Sequence, residues 1–304
     1  KKRYNVFCEP ERIIITSGSS AAFILAFTAF FDAGESVLVG EPGYPSYRNI
    51  LKSLNLIPKL VTTSSEKRFQ LSSKNIKESD EKGVLIANPS NPTGTSLDRN
   101  EFQSVIEAAR EKKMLLISDE IYHGINFHTG DSTAIEFDPN CIVINSFSKY
   151  FFLSGWRIGW MVVPSSAVRA IEKLAQNLYI CPPHASQLLA LYSMDIPEVF
   201  DDEVVKYKGN RDILISVLSK LGFTEIIKPD GAFYIYANIK NFEISSDLFC
   251  QKLLVEAGVA ITPGTDFDTK RGHSTVRFSY SCSQESVVEA VRRLTKWCND
   301  YRIG

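Results

Sequence analysis

The segment Ile142–Val163, IVINSFSKYFFLSGWRIGWMVV, indicates the fold because two apolar runs enclose a short polar stretch. The runs Ile142–Asn145 and Ile158–Val163 show no alternation of apolar and polar residues, which is typical of strands covered on both faces of a sheet. Only 12 residues lie between the two runs, too few for a crossover helix. The two strands are therefore expected to be antiparallel neighbours.

Five similar runs precede this segment, and helix-like stretches lie between several of them. The predicted strands are Arg12–Thr16, Val37–Val39, Lys59–Val61, Val84–Ala87 and Leu115–Asp119. The predicted helices are Ser20–Phe31, Pro45–Leu54 and Asp98–Lys112, the last beginning with a capping box of Asp98 and Glu101. This alternation predicts an α/β fold with a mixed, mostly parallel seven-stranded sheet between helices.

The pattern changes at Pro197, and a smaller C-terminal α+β domain is expected from there. Its predicted elements are a helix Glu198–Leu221, a strand Ala232–Asn238, a helix Ser246–Ala257, a strand Val276–Tyr280 and a helix Gln284–Tyr301. The predicted domains are thus a large one at residues 1–196 and a small one at residues 197–304. Because the sequence opens on Lys1 rather than Met, a further N-terminal segment is expected to precede it.

Composition excludes several classes of protein. The 304 residues carry 34 Lys and Arg against 35 Asp and Glu, so no charge bias towards nucleic acid or an anionic membrane exists. The longest apolar run, Ala21–Phe31, is too short to span a bilayer. Six scattered cysteines without metal-ligand spacing predict reduced thiols in a cytoplasmic protein and no metal site. The histidines are predicted to be surface or loop residues: His123, His128, His184 and His273.

Polar and charged residues follow the predicted strands, at the point where each strand ends. They are Gly18-Ser19-Ser20, Glu41-Pro42-Gly43-Tyr44, Asn91-Pro92-Thr93-Gly94, Asp119 with Tyr122, Ser146-Phe147-Ser148-Lys149 and Gly155-Trp156-Arg157. Since ligands of open α/β sheets bind at the carboxyl ends of the strands, these groups are expected to meet at one edge. They supply anion-binding, aromatic, amide, carboxylate and amine chemistry together.

Each group also has an ordinary structural interpretation. The turn at Gly18-Ser19-Ser20 suits phosphate because it opens a helix, although a serine there can simply be an N-cap. Asp119 ends an apolar strand, where a carboxylate needs a cationic partner. Lys149 is either a surface lysine or an amine with a pKa lowered by the aromatic residues 150–152, which favours Schiff-base chemistry. Arg157 carries a planar fork that suits phosphate.

Taken in order, these motifs resemble the class I/II aminotransferases, pyridoxal-phosphate (PLP) enzymes of fold type I. The resemblance extends from about Arg12 to Arg293. It implies that Lys149 holds the cofactor as an aldimine and moves the substrate proton, while Asp119 pairs with the pyridine nitrogen. It also implies that Asn91 and Tyr122 donate hydrogen bonds to the phenolic oxygen of the ring.

The resemblance assigns the remaining site residues too. Tyr44 would stack on the pyridine ring, and Arg277 would take the substrate carboxylate. The phosphate would be held by Ser19, Ser20, Ser146, Ser148 and Arg157. The implied reaction transfers an amino group from an L-amino acid to a 2-oxo acid, and the implied assembly is a homodimer.

Two other functions share these motifs. The cofactor residues would be the same in a PLP-dependent lyase of this fold, so they separate the two reactions poorly. An aminotransferase-like domain also serves as the effector domain of some transcription regulators. A DNA-binding module in an N-terminal segment would distinguish a transcription regulator from the two enzymes.

Overall fold

A mixed seven-stranded sheet forms the centre of the larger part of the chain in this computed structural model, which describes residues 3–128 and 130–303. Its strands are β1 Ile13–Thr16, β2 Ser36–Glu41, β3 Ile57–Thr62, β4 Gly83–Ala87, β5 Leu115–Asp119, β6 Ile142–Ser146 and β7 Gly159–Val162. They lie in the order β1-β7-β6-β5-β4-β2-β3. Only β7 runs against its neighbours, so both the mixed sheet and the antiparallel β6–β7 pair are confirmed.

Helices cover both faces of this sheet. They are α1 Gly18–Phe30, α2 Pro45–Ser53, α3 Ser73–Lys77, α4 Arg99–Glu111, α5 Val168–Leu178 and α6 His184–Ser193. Along β6, Ile142 and Ile144 belong to the core under α1, α2 and α5, whereas Val143 belongs to the core under α3 and α4. Successive side chains of a strand point to opposite faces, which explains why these runs are apolar without alternation.

A separate three-stranded sheet lies in the C-terminal part. Its strands are β8 Tyr234–Asn238, β9 Thr262–Pro263 and β10 Thr275–Ser279, in the order β8-β10-β9. The helices that accompany it are α7 Pro197–Leu218, α8 Ser246–Lys252 and α9 Gln284–Ile303. Its core also includes Tyr122 and Tyr150 from the larger part. The division at residue 196 therefore stays a prediction.

Three further sequence expectations can be compared with the structure. None of the helices in the described ranges is long and apolar enough to cross a membrane. No disulfide joins the cysteines in the described part of the chain. Of the histidines, which are predicted to be surface or loop residues, His123 lies in the turn after β5 but not at the surface. This residue is buried, and its Nδ1 lies 2.8 Å from the hydroxyl oxygen of Tyr4 and 3.3 Å from Glu120.

Candidate active site

Lys149 follows β6 directly, in the turn that leads to β7, and its side chain is half-buried. Its Nζ lies 5.7 Å from the ring centre of Tyr122 and 5.9 Å from that of Phe233. They are not the rings of residues 150–152, which follow Lys149 in the sequence. The ring centres of Tyr150 and Phe151 instead lie within 5.6 Å of that of Phe200. The amine therefore owes its aromatic surroundings to two distant parts of the chain.

Three charged groups act on the Lys149 amine. Burial lowers the pKa of Lys149, the nearby carboxylate of Asp119 opposes this change, and Arg277 and Arg157 add to it. Within the described part of the chain, the amine has no hydrogen bond or ion pair of its own. A lowered pKa makes the neutral, nucleophilic form of a lysine more accessible.

Asp119 ends β5 and is only 2% exposed. Its Oδ2 accepts a hydrogen bond from the Tyr47 hydroxyl, and its Oδ1 accepts one from the Ile121 N–H at 3.1 Å. Burial raises the pKa of Asp119 to about 6, although both hydrogen bonds act against that change. No cationic side chain of the described residues forms an ion pair with it. The carboxylate thus lacks the partner that burial calls for.

Arg277 lies on β10, and its guanidinium is held between two aromatic rings. The centre of the guanidinium is 4.3 Å from the ring of Tyr234 and 4.6 Å from that of Phe267. Its Nη1 donates to Asn91 Oδ1 at 2.9 Å, and its Nη2 donates to Thr262 Oγ1 at 3.2 Å. The Nε is buried without a partner in the described residues. A guanidinium fixed in this way still presents a donor to a carboxylate.

Tyr122 and Asn91 present hydrogen-bonding groups next to Lys149 and Arg277. The hydroxyl oxygens of Tyr122 and Tyr234 are 3.0 Å apart, and burial raises the pKa of Tyr122, so its hydroxyl stays protonated near neutral pH. Because the Oδ1 of Asn91 accepts from Arg277, its Nδ2 amide remains a donor. Both groups can therefore donate to an anionic oxygen.

Ser146, the last residue of β6, and Ser148 lie near Arg157 and the start of α1. The Ser148 N–H donates to Ser146 Oγ at 3.0 Å, and Arg157 Nη1 lies 3.4 Å from Ser148 Oγ. Arg157 also donates to the Ser154 carbonyl at 2.8 Å. A β-carbon added at Gly18 would lie 2.4 Å from Arg157 Nη2. The guanidinium therefore lies against the first residue of the helix, as an anion site requires.

The positions of Ser19 and Ser20 differ. The Ser19 amide nitrogen would lie 3.1 Å from a β-carbon placed at Gly159, so this turn approaches the β7 backbone closely. Ser20 is exposed in the first turn of α1, and no hydrogen bond among the described residues joins its side chain to the serines after β6. The backbone of Ser19 therefore lies close to β7, whereas the side chain of Ser20 forms no hydrogen bond with Ser146 or Ser148.

Tyr44 and Tyr47 lie at the start of α2, where the sequence pointed only to Tyr44. The two ring centres are 5.4 Å apart, with the planes close to perpendicular. Tyr47 has the direct contact with Asp119, and sequence reasoning missed it. Tyr47 comes three residues after Tyr44, on the same side of a helical turn. That spacing is the signal that could have indicated it.

Comparisons with known proteins identify the family of this chain. The family described as aminotransferase class I and II matches residues 1–294. The valine–pyruvate aminotransferase of Mycobacterium tuberculosis is 40% identical over 98% of this chain and 78% of that protein. The aspartate aminotransferase of Sulfurisphaera tokodaii is 31% identical over 94% and 75% of the two chains. A crystal structure of an aminotransferase from M. tuberculosis superposes with a TM-score of 0.96, 40% identity and coverage of 98% and 79%.

The large sheet, the amine at its edge and the family match together define one class of enzyme: the chain belongs to the class I and II aminotransferases. It is an aminotransferase, which transfers an amino group between an amino acid and a 2-oxo acid. Enzymes of this family use pyridoxal phosphate as their cofactor.

Proposed function

We propose that pyridoxal 5′-phosphate binds between Lys149, Asp119 and Arg157 and that these residues carry the transamination. The observation that supports this most directly is a pair of uncompensated groups. Asp119 is buried without an ion pair, and Lys149 is a desolvated amine that forms no hydrogen bond or ion pair with the described residues. A phosphorylated pyridine aldehyde complements both, because its ring nitrogen is a cation when protonated and its aldehyde reacts with amines.

The residues around the cofactor would have distinct tasks. Bound pyridoxal phosphate supplies an electron sink for the carbanion formed at the substrate Cα. Asp119 would hold the proton on the ring nitrogen, and the Nδ2 of Asn91 and the hydroxyl of Tyr122 would donate to the ring oxygen. Lys149 would hold the cofactor and move the Cα proton, which its lowered pKa favours near neutral pH.

The anionic ends of cofactor and substrate would be held by the two arginines. Arg157, with Ser19, Ser146 and Ser148, would bind the phosphate at the start of α1, and the backbone N–H groups there add to the attraction. Ser20 would contribute through its backbone position rather than its exposed side chain. Tyr44 would stack on the ring.

Arg277 would bind the substrate carboxylate through its unpartnered Nε. The same arginine donates to Asn91, so binding of the carboxylate and the hydrogen bond to the ring oxygen would be physically linked. Because Tyr234 and Phe267 hold the guanidinium on both faces, it would need little reordering when the substrate arrives.

We propose further that the amino donor has a small, uncharged side chain. The cations that act on Lys149 are Arg277 and Arg157, and both already have an anion to bind. The rings of Tyr122 and Phe233 beside the amine favour an apolar side chain. The 40% identical relative is named for valine and pyruvate, whereas the relatives named for aspartate, such as that of S. tokodaii, are less similar.

Replacing Lys149 tests the proposed function. In Lys149→Ala, we expect the visible absorption of the protein with pyridoxal phosphate to fall to that of free cofactor and transamination to drop by at least about 10³-fold. Lys252→Ala is the matched control, because Lys252 Nζ also lies 5.7 Å from a tyrosine ring but in another region. Equal absorption in Lys149→Ala and the parent protein would remove Lys149 from this role.

Half-reactions with single amino acids test the donor. Each amino acid is added to the cofactor-loaded enzyme, and conversion to the pyridoxamine form is followed by absorbance. We expect valine and alanine to react with a kcat/KM at least about tenfold higher than that of aspartate, because a second carboxylate would be buried without a partner. Preference for aspartate would show that a cation from elsewhere reaches the site.

We also propose that the enzyme is a homodimer. Large apolar side chains are exposed together along residues 178–205, from the end of α5 to the first turns of α7: Leu178, Ile180, Leu188, Leu191, Tyr192, Met194, Ile196, Val199 and Val205. A concentration of this kind marks an association surface. Phe152 and Trp156, in the turn between Lys149 and Arg157, are exposed as well.

A further inference from the structure

Tyr47 places a buried hydroxyl directly on the carboxylate at the centre of the site. Its side chain is 3% exposed, and the hydroxyl donates to Oδ2 of Asp119. The ring is fixed by edge-on contacts with Phe23 at 5.3 Å, the planes 61° apart, and with Tyr44 at 5.4 Å, the planes 82° apart. Since α2 carries the ring and β5 carries the carboxylate, this hydrogen bond joins two elements 72 positions apart in the sequence.

We propose that Tyr47 is a positioning residue that keeps Asp119 ionised and aimed at the ring nitrogen of the cofactor. This inference rests on the proposed function, because it needs Asp119 to be the partner of that nitrogen. Tyr47 itself touches neither cofactor nor substrate in this proposal and acts only through the carboxylate.

Tyr47 can control the charge of Asp119 because burial and hydrogen bonding act on this carboxylate in opposite directions. Burial favours the neutral acid, and only the Tyr47 hydroxyl and the Ile121 N–H stabilise the charged form directly. Of the other groups nearby, Glu120 acts against ionisation, His123 supports it, and the Lys149 amine in the turn after β6 attracts the charged carboxylate. Loss of the hydroxyl would therefore shift Asp119 towards the neutral acid, which cannot pair with a protonated pyridine.

The hydroxyl of Tyr47 is suited to this task over a wide pH range. Burial and the charge of Asp119 raise the pKa of Tyr47 well above its usual value, so the group stays a donor wherever the carboxylate is ionised. A merely structural role is the competing explanation, since the ring belongs to the core under α1 and α2. The two explanations differ in what Tyr47→Phe does, because this variant keeps the ring and removes only the oxygen.

The test is a double-mutant cycle on cofactor affinity. The dissociation constant of pyridoxal phosphate is measured by titrating the apo forms of the parent protein, Tyr47→Phe, Asp119→Asn and the double variant between pH 5.5 and pH 9. We expect Tyr47→Phe to weaken binding by up to about tenfold near pH 5.5, where a one-unit rise in the pKa of Asp119 removes most of the ionised carboxylate, and by only about twofold at neutral pH. The pH at which affinity is lost on acidification should rise by about one unit.

In the Asp119→Asn background, removing the Tyr47 hydroxyl should change the affinity less than about twofold, since no charge remains to be held. Tyr301→Phe is the control, because it removes a tyrosine hydroxyl that donates to the Phe242 carbonyl in the C-terminal part. If Tyr47→Phe raises the dissociation constant by the same factor with Asp119 and with Asn at that position, the inference is overturned. An unchanged pH dependence of the affinity in Tyr47→Phe would overturn it too. Neither result would contradict the proposed role of Asp119. Unchanged affinity in Asp119→Asn would instead overturn the role of Asp119 and the inference with it.

Discussion

The ionisable residues at the site are held in conditions that oppose their charged forms. Burial raises the pKa of Asp119 to about 6 and that of Glu120 above its usual value, and it lowers the pKa of Lys149. Such groups reduce the stability of a protein that lacks their ligand. The site is therefore arranged for binding and proton transfer rather than for stability.

Asp119→Asn should stabilise the cofactor-free protein at neutral pH. The folded pKa of about 6 lies above the ordinary value of 3.8, so the contribution of Asp119 to stability is present below about pH 4 and is lost as pH rises through 6. Two units correspond to about 3 kcal/mol, an upper value for the gain in Asp119→Asn at pH 7.5. Urea unfolding of the apoprotein at pH 4 and pH 7.5 measures it.

Asp268→Asn provides the comparison for this prediction. Asp268 is equally buried, but its carboxylate is paired with Arg271 at 2.8 Å. Its replacement should destabilise the protein, because it leaves a charge unpaired. If Asp119→Asn also lowers the unfolding free energy at pH 7.5, Asp119 has a compensating partner in the apoprotein and the reasoning from its burial is wrong.

At this scale, the order of motifs predicted which residues meet, but not their contacts with each other. The sequence indicated Lys149, Asp119, Asn91 and Arg277 as members of one site. It could not show that Arg277 donates to Asn91, or that Tyr47 holds Asp119, because such pairs depend on side-chain directions across 186 and 72 positions. For the same reason it did not indicate that the rings of Tyr122 and Phe233 lie within 6 Å of the Lys149 amine.

Among the elements, the turn between β1 and α1 leaves little space for side chains. Gly18 has φ +78° and lies against Arg157, while Gly159 of β7 approaches the same turn. The absence of a β-carbon at both positions lets the β6–β7 connection pack on the start of the helix. This close packing brings the guanidinium to the helix N-terminus.

Gly18→Ala should impair both folding and cofactor binding. The left-handed backbone destabilises alanine by about 1–2 kcal/mol, and the new β-carbon would displace Arg157. Gly34→Ala is a matched control, because Gly34 has φ +88° but nothing within 4 Å of the added carbon. Both variants should lower the melting temperature, and only Gly18→Ala should weaken pyridoxal phosphate binding, by about tenfold or more. Equal affinities in the two variants would contradict the phosphate site.

The elements themselves were predictable where the pattern is long. The uninterrupted apolar runs indicated the seven strands, and the capping box of Asp98 and Glu101 marks the start of α4, with the Glu101 N–H donating to Asp98 at 2.8 Å. The short pieces α3 and β9 have 5 and 2 residues, too few to show a periodicity. The helices α5 and α6, between β7 and the predicted domain boundary, were not predicted from the sequence either.

For the whole molecule, the site depends on contacts between the two sheets. The Glu41 carboxylate at the end of β2 accepts from the Thr269 N–H at 2.9 Å, and the carbonyl of Gly94 accepts from the N–H groups of Asp230 and Gly231 at 2.9 and 3.0 Å. These bonds hold the sheet that carries Arg277 against the sheet that presents the proposed cofactor residues. The proposed substrate and cofactor sites therefore lie where the two parts of the chain join.

The exposed apolar side chains within residues 178–205 predict the surface through which two copies of the chain associate. Ile180→Asp should raise the dissociation constant of the proposed dimer at least about tenfold, because burying one such side chain contributes roughly 1.5–3 kcal/mol. Val255→Asp is the control, since Val255 and Ile180 are both 78% exposed but Val255 lies outside this segment. Sedimentation velocity over a range of concentrations should show a dimer for the parent protein and Val255→Asp, and monomer for Ile180→Asp. A parent protein that sediments as a monomer at micromolar concentration with cofactor bound would contradict the dimer, and the exposed segment would then need another partner.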